Sequence, residues 1–469
     1  EFILCMAIFG HSCEWVSYHL LSHLARDPSV DTETGRKAKS MMAIIILLGS
    51  FVLLVAINLP VSFSMALACI LTLFYQGTIP ISTVTLKFYS GIDTFPFLAI
   101  PLFILAGGLM EHGGISYRLV RFAKNLVGHI KGGLGFVVVV SEIFFSGISG
   151  SSIADASAIG SLLLPSMIRA GYTPPRASAI VAAATGMGMM IPPCLNMVVL
   201  GAMSNISIAG LFMGGFLPGF FMALTLMVII YIQSIKGILP GAEGRRATLK
   251  EIAVSFKDSV IPLMMPVIIF GGIFTGIFTA TEAASVATVY AFIVSVFIYK
   301  EIKARDLFRI FVDTAVMTGV VCLLVGAATS FSWILATHQV PQVLGNFIGA
   351  VSEGKVIFLL LTIAVFLFFG MILDGLPAIL IFFPILFSIA QSLGIHPLHF
   401  GVLVIAIVGI SIVAPPIGLC LVIICSLAKI KLTDTIRPLI PYTLILVVDL
   451  VVIAFWPWLV LILPTMFKL

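Results

Sequence analysis

The sequence predicts an all-α polytopic membrane protein with two inverted repeats, each containing a re-entrant helical hairpin and a helix broken by Pro-Pro. Composition, a motif that occurs twice, and the placement of basic residues support this fold class. Of the 469 residues, 60% are hydrophobic and 10% are charged, and the mean hydropathy is +1.21. Soluble domains contain roughly 45–50% apolar and about 25% charged residues. Because a soluble fold cannot bury so much apolar surface, we expect many membrane crossings.

One motif occurs twice, in the same order and with matched spacing. Its two copies are Asp155, Pro165, Gly171, Pro174 and Pro192-Pro193, then Asp374, Pro384, Gly394, Pro397 and Pro415-Pro416. In both copies the interval is 10 positions from Asp to the first Pro, 3 from Gly to the second Pro, and 18 from that Pro to the pair. Paired apolar segments interrupted by Gly and Pro are typical of substrate sites in membrane transporters.

Apolar runs predict the membrane helices in order along the chain. Eight single spans are expected, at 43–58, 61–76, 96–110, 208–235, 259–278, 280–299, 311–335 and 438–466. Segments 174–206 and 397–428 carry the Pro-Pro pair in the middle, so we expect each to form two half-helices.

Two further segments, 133–169 and 355–393, are apolar at both ends and Gly-rich in the centre. Each arm has about 15 residues, which is too few to span a bilayer comfortably, so we expect two re-entrant hairpins. Before the first hairpin, segment 115–131 places three basic residues on one helical face. This pattern predicts an amphipathic helix on the cytoplasmic surface, with an ordinary solvated loop as the alternative.

Basic residues form four clusters, at 118–131, 236–257, 300–309 and 429–437. Cytoplasmic loops carry an excess of Lys and Arg, and all four clusters can be assigned to the cytoplasm together. The first hairpin then opens from the cytoplasm and the second from the outside, so the two repeats are inverted. The same topology places the linker 26–39 outside, although it holds four basic residues.

The Pro-Pro breaks are expected to expose backbone oxygens. Proline removes a backbone donor and disfavours helix in the preceding residue. Carbonyls near Gly188–Ile191 and Ser411–Ala414 should therefore lack partners. With serine hydroxyls from a facing hairpin tip, such oxygens are hard ligands that suit Na⁺, while helix N-termini at the same point favour an anion. The alternative for a single break is a mere kink; a matched pair of breaks favours a binding site.

Asp155 and Asp374 stand out as acidic residues of the two hairpins. A charge at membrane depth indicates function. An Asp just after a turn is also a good helix N-cap, and the sequence leaves both interpretations open.

Other classes of function find little support. The seven cysteines are scattered without metal-site spacing, and the eight histidines form no His-Glu-x-x-His pattern, so a membrane-embedded enzyme is not indicated. A passive channel would not need two inverted hairpins. The chain has no Walker-type phosphate loop, which excludes a primary pump within it. Its net charge of +5 concerns membrane orientation, and no nucleic-acid partner is expected.

Five motifs, in this order, resemble a known family. They are Phe145–Asp155 (FSGISGSSIAD), Ile191–Pro193 (IPP), Thr279–Ala284 (TATEAA), Gly370–Asp374 (GMILD) and Ala414–Gly418 (APPIG). From about Met42 to the C-terminus, the chain is similar to the large membrane subunit of tripartite ATP-independent periplasmic (TRAP) transporters.

The resemblance implies a Na⁺-driven importer of small organic anions in the bacterial inner membrane, with an elevator-type fold like that of the ion-transporter superfamily. C4-dicarboxylates, sialic acid, other sugar acids and 2-oxo acids are all compatible. A small four-helix membrane subunit and a periplasmic substrate-binding protein are the implied partners. A Na⁺/carboxylate symporter of the same superfamily that works without a binding protein is the alternative.

The resemblance also implies at least two Na⁺ ions and a substrate site. One ion would lie between a hairpin tip and a break, at Ser149, Ser152, Gly188, Ile191 and Pro193. The other would lie at Gly370, Gly375, Ser411, Ala414 and Ile417. Substrate contacts are expected at Ser151, Asp155, Asn196, Asp374 and Pro416. Two positions depart from the family pattern: Ala414 replaces a frequent Thr, and Cys194 follows the first break where a small polar residue is usual.

These segments divide the chain into six parts. They are an N-terminal extension (1–40, a candidate remnant of a fused small subunit), first-repeat scaffold helices and amphipathic arm (41–131), the first transport half (132–206), a linking helix with second-repeat scaffold and arm (207–354), the second transport half (355–428) and a C-terminal span (429–469).

Overall fold

The computed structural model describes residues 33–241, 246–343, 354–373, 375–415 and 418–467. Every regular element within these ranges is helical, which confirms the predicted all-α class. Nine of the described helical segments are long and apolar enough to cross a membrane.

The described α-helices are numbered here in chain order. They are α1 Glu33–Ala56, α2 Val61–Gln76, α3 Ser82–Ile92, α4 Ala99–His112, α5 Ile115–Val127, α6 Gly133–Ser149, α7 Ser152–Arg169, α8 Pro174–Gly188, α9 Leu195–Ser204, α10 Ile208–Ile235, α11 Leu249–Phe274, α12 Ala280–Phe292, α13 Ala304–Thr337, α14 Lys355–Leu373, α15 Gly375–Ser392, α16 Pro397–Ser411, α17 Leu419–Ala428, α18 Leu432–Phe455 and α19 Trp458–Met466. A 3₁₀ turn, Phe95–Leu98, leads into α4, and a π-helical segment, Ile293–Ile298, continues α12.

Most predicted segments coincide with these helices, and α2 and α10 match their predicted bounds. One predicted span is wrong, because 438–466 is two helices, α18 and α19, separated at Trp456-Pro457. The residue before a proline is disfavoured in helix, which explains the break. Helix α3 was not predicted, since its serines and threonines dilute the apolar pattern.

Two helical hairpins are present. In the first, Gly150 and Ser151 join α6 to α7, and Tyr172 Oη donates to the Gly132 carbonyl at 3.1 Å, so the two outer ends lie together. In the second, α14 and α15 pack together, and Lys355 Nζ donates to the Gly394 carbonyl at 3.4 Å. The arms have 17, 18, 19 and 18 residues, longer than the predicted 15 or so. Length alone therefore does not exclude a full crossing, and re-entrance stays a prediction.

The helices fall into two compact units. One comprises 33–93 with 322–343, and the other comprises 94–321 with 354–467. In the first unit, Ser330 Oγ donates to the Val84 carbonyl at 3.1 Å. The second unit contains both hairpins and both broken helices, so the candidate site lies within a single unit.

Helix α5 is amphipathic, as predicted. Leu119 and Phe122 are buried, and Phe122 stacks on Phe144 of α6 and contacts Phe256 of α11. On its polar side, Arg118 pairs with Glu301 at 2.8 Å. The apolar face therefore packs on neighbouring helices of this chain, and the alternative of a solvated loop is wrong.

Candidate functional site

The tip of the first hairpin lies directly on the first Pro-Pro break. The backbone N–H of Leu195 donates to the Gly150 carbonyl at 3.2 Å. Gly150 has φ of +65°, and a Cβ placed on it would lie 3.0 Å from the Pro193 carbonyl oxygen. Two features of position 150 require glycine: the backbone is in the left-handed region, and the backbone of the break lies too close for a side chain.

The backbone oxygens of this break differ from the prediction in one respect. The Gly188 carbonyl accepts a hydrogen bond from Ile191 N–H at 2.8 Å, so it does not lack a partner. The carbonyl of Ile191 accepts no backbone hydrogen bond from the described part of the chain, as expected, and neither does that of Pro193. Because a carbonyl oxygen has two lone pairs, all three oxygens can still bind a cation.

Serine hydroxyls of the tip bind Asp155. Ser149 Oγ donates to one carboxylate oxygen of Asp155, and Ser146 Oγ donates to the other at 2.7 Å. The N-cap of α7 is Ser151, which accepts from Ala154 N–H at 3.5 Å. The capping interpretation of Asp155 is therefore wrong. Its carboxylate is almost completely buried inside the hairpin.

Glu142, on α6, is a buried acidic residue that sequence reasoning missed. It is 0% exposed, one of its carboxylate oxygens lies 3.4 Å from Ser146 Oγ, and a Cβ on Gly188 would collide with that oxygen. A single acid within the apolar arm Gly133–Ser149 was the available signal. The first half thus contains two carboxylates beside the break.

The second hairpin lies against the end of α16, just before the second break. Gly370 lies against the Ser411 side chain, where any Cβ would collide, and Gly375 lies against Val408 and Ile412. The Ser411 carbonyl accepts from Ala414 N–H at 3.2 Å.

The carbonyl of Ala414 accepts from Gly418 N–H, also at 3.2 Å. The expectation of unpaired carbonyls is therefore wrong for Ser411 and Ala414, since the chain turns tightly after the helix. The remaining predicted residues of this half, Asp374, Pro416 and Ile417, lie outside the described residues.

The two halves meet at equivalent positions. Gly186 and Gly409 each precede their Pro-Pro pair by six positions, and each would place a Cβ against the carbonyl oxygen of the other, at 2.7 and 2.5 Å. Helices α8 and α16 therefore cross at this glycine pair. Near the crossing, the Asn196 amide nitrogen would lie 3.5 Å from a Cβ on Gly375.

Three helix N-termini converge in this region. Helix α7 begins beside α9, as the Leu195–Gly150 hydrogen bond shows, and α15 begins at Gly375 beside Asn196. Helix N-termini carry partial positive charge from the helix dipole. The region therefore has the positive ends of three helices next to backbone and hydroxyl oxygens. Substrate contacts by Ser151, Asp155 and Asn196 stay predictions.

Solved transporters share the fold. The Alcanivorax borkumensis YdaH transporter aligns with a TM-score of 0.59 at 15% identity, over 82% of this chain and 89% of that chain. Neisseria gonorrhoeae MtrF aligns with a TM-score of 0.53 at 14% identity, over 81% and 84% of the two chains. At such low identity, the likeness shows the fold alone.

Sequence relatives are much more similar. Protein YgiK of Salmonella typhimurium, which is uncharacterized, is 38% identical over 90% of this chain and 98% of its own length. The 2,3-diketo-L-gulonate TRAP transporter large permease YiaN of Escherichia coli is 36% identical, over 90% and 98%. The sialic acid TRAP transporter large permease SiaM of Vibrio cholerae is 36% identical, over 87% and 96%.

A sequence model of the tripartite ATP-independent periplasmic transporter, DctM component, matches residues 48–459. That range includes both hairpins and both broken helices. The chain therefore belongs to the DctM component family of TRAP transporters, and it is a multi-pass inner-membrane transport subunit rather than an enzyme.

Proposed function

We propose that this chain is the permease of a Na⁺-coupled secondary importer of small organic anions, which a periplasmic substrate-binding protein delivers. The observation that supports this proposal is the packing of each hairpin tip on a Pro-Pro break. Irregular backbone at membrane depth is tolerated only inside protein or beside an aqueous cavity. Two such places in one unit, joined at Gly186 and Gly409, suit one central substrate site with an ion site on either side.

Two Na⁺ sites belong to the proposal. The first combines the Ser149 and Ser152 hydroxyls with carbonyls of Gly188, Ile191 and Pro193. The second combines the tip at Gly370 and Gly375 with Ser411, Ala414 and Ile417. Hard cations prefer oxygen ligands, and in the first half the tip at Gly150 contacts the break at Pro193 and Leu195, which supports a site of this kind.

The substrate is proposed to be a carboxylate. The N-termini of α7, α9 and α15 meet beside Asn196, and their N–H groups suit an anionic group. The names of two relatives refer to 2,3-diketo-L-gulonate and sialic acid, both of which are sugar-derived acids. We extend this class of substrate, sugar acids together with C4-dicarboxylates, to the present chain.

Ions and substrate would cross together in an elevator movement of the two hairpins and broken helices. The proposed assembly includes a small four-helix membrane subunit and a periplasmic binding protein, as the word tripartite in the family description suggests. A Na⁺/carboxylate symporter that needs no binding protein is the alternative.

Uptake into proteoliposomes tests this function. The chain is reconstituted with its small subunit, and a radiolabelled sugar acid is offered with the binding protein. We expect uptake to require an inward Na⁺ gradient and the binding protein, and to proceed without ATP. Equal uptake without the binding protein would establish the alternative. Uptake that depends on ATP without any ion gradient would overturn the proposal.

A further inference from the structure

The tip of the first hairpin is held from two sides. On one side Gly150 lies against the break, where a Cβ would stand 3.0 Å from the Pro193 carbonyl oxygen. On the other side Ser149 lies against α4, because a Cβ placed on Gly107 would stand 2.8 Å from the Ser149 carbonyl oxygen and 3.3 Å from its Cα. Two consecutive residues of the tip thus contact two different elements through their backbones, so rotation of a side chain can relieve neither contact.

Helix α4 is itself hydrogen-bonded to the helix on its other side. Thr288 Oγ1 of α12 shares its proton between the Leu102 carbonyl of α4 and a carbonyl of its own helix, at 2.8 Å each. Ser295 Oγ, in the π-helical segment that continues α12, donates to the Leu109 carbonyl of α4 at 2.8 Å. Ser295 is completely buried, so water cannot replace this bond. The two acceptors stand on either side of Gly107 in the sequence and fix the part of α4 that contacts the tip.

Ser149 connects this contact to the first ion site. Its hydroxyl donates to Asp155, and it is one proposed ligand of the first Na⁺ ion. Only the Cβ separates that hydroxyl oxygen from the backbone, so a shift of the Ser149 backbone moves the oxygen with it. Residues that orient the ligands of a metal ion change its affinity about 10–100-fold when they are replaced.

We propose that Gly107 is a positioning residue for the first Na⁺ site. The absence of a side chain at this position lets α4 contact the Ser149 backbone directly, and α4 thereby sets the Na⁺ affinity of the tip. The inference rests on the proposed Na⁺-coupled function and adds a dependence to it: the affinity of the first site is high while the tip lies against Gly107 and falls when the hairpin moves away from α4.

Thermal unfolding of the purified full chain over a series of Na⁺ concentrations tests this inference, with choline replacing Na⁺ at constant ionic strength. In Gly107→Ala the added Cβ presses on backbone atoms, so we expect the Na⁺ concentration for half-maximal stabilisation to rise about tenfold. Gly108→Ala is the matched control. It adds the same methyl group to the next position of α4, where the Cβ would meet the Ile310 Cγ2 methyl group at 3.3 Å, and it should respond to Na⁺ as wild type does.

Ser295→Ala tests the same inference without adding an atom at the contact. Loss of the hydrogen bond to the Leu109 carbonyl loosens α4, and the half-saturating Na⁺ concentration should rise about threefold, which the loss of one buried hydrogen bond can supply.

A purely structural contact would give a different result. Gly107→Ala would then unfold at a lower temperature in choline but keep the wild-type half-saturating Na⁺ concentration, and this outcome would overturn the inference while leaving Na⁺ coupling intact. If Gly107→Ala does not fold, a wild-type half-saturation in Ser295→Ala overturns it equally. An equal shift in Gly108→Ala would also overturn it, because the effect would not come from the contact with Ser149. If Na⁺ did not stabilise wild type at all, both the coupling and this inference would be refuted.

Discussion

Two serine hydroxyls hold the Asp155 carboxylate inside the first hairpin. The polar side chains at this tip are therefore hydrogen-bonded to one another even without a ligand. Ser146 and Ser149 donate one hydrogen bond to each carboxylate oxygen. Since a hydroxyl oxygen keeps its lone pairs when it donates, Ser149 can at the same time bind a cation. The Asp155 charge would strengthen the Ser149 oxygen as a ligand of the proposed Na⁺ ion.

Replacing Ser149 with Ala should have two separable effects. Loss of the donor leaves one Asp155 oxygen unsatisfied, which should lower the free energy of unfolding by about 1–3 kcal/mol in choline buffer. Loss of the ligand should also raise the Na⁺ concentration that gives half-maximal thermal stabilisation. Thermal unfolding over a series of Na⁺ concentrations measures both.

The control for Ser149→Ala is Ser166→Ala on the return arm of the same hairpin. Ser166 Oγ donates to the Leu162 carbonyl at 3.4 Å and accepts from the Arg169 guanidinium at 3.4 Å, and it lies outside the proposed site. Its replacement should leave the Na⁺ response unchanged. If Ser149→Ala lowered stability but kept the wild-type response to Na⁺, Ser149 would only position Asp155.

At the scale of elements, the contact between α8 and α16 joins the two repeats. Gly186 and Gly409 occupy equivalent places in the two copies of the motif, six positions before each Pro-Pro pair. Their backbones touch because neither carries a Cβ. Small residues are what allow close approach of helices in membranes.

Gly186→Ala and Gly409→Ala should each force the two helices apart. The added Cβ would stand 2.7 or 2.5 Å from a backbone oxygen, and backbone cannot move aside as a flexible side chain can. We expect a loss of about 1–3 kcal/mol in stability, as for other overpacked cores, and reduced uptake. Thermal unfolding and proteoliposome uptake measure the two effects.

Gly271→Ala is the matched control for this pair, because a Cβ at that helical position meets nothing within 4 Å. It should be neutral or gain up to about 1 kcal/mol from helix propensity. If Gly271→Ala, Gly186→Ala and Gly409→Ala had the same stability and uptake, then α8 and α16 would be packed less closely at the glycine pair than the structure shows.

The sequence predicted the bounds of the helices better than the contacts between them. The bounds of Ile208–Ile235 follow from one uninterrupted apolar run, and the Pro-Pro breaks follow from proline chemistry. The buried Glu142 was missed, because it does not belong to the repeated motif. The extra hydrogen bond to the Gly188 carbonyl was also missed, since the local turn that forms it is decided by packing.

At the scale of the whole molecule, the predicted inversion of the repeats determines which side each hairpin opens to. The outer ends of each hairpin lie together, as the hydrogen bonds to the Gly132 and Gly394 carbonyls show. Lys131 precedes α6 by two positions and Lys355 begins α14, and both are exposed. These two lysines therefore report on the open ends of the first and second hairpins.

Cysteine labelling at these positions tests the inversion. In a variant without the native cysteines, Lys131→Cys should react with an impermeant maleimide only after the membrane is permeabilised, because its basic cluster is assigned to the cytoplasm. Lys355→Cys should react in intact spheroplasts. The cysteine-free parent gives the background, and a Cys in the basic cluster 429–437 gives a cytoplasmic reference. Labelling of both positions from one side would contradict the inverted repeat, because inverted hairpins must open to opposite faces of the membrane.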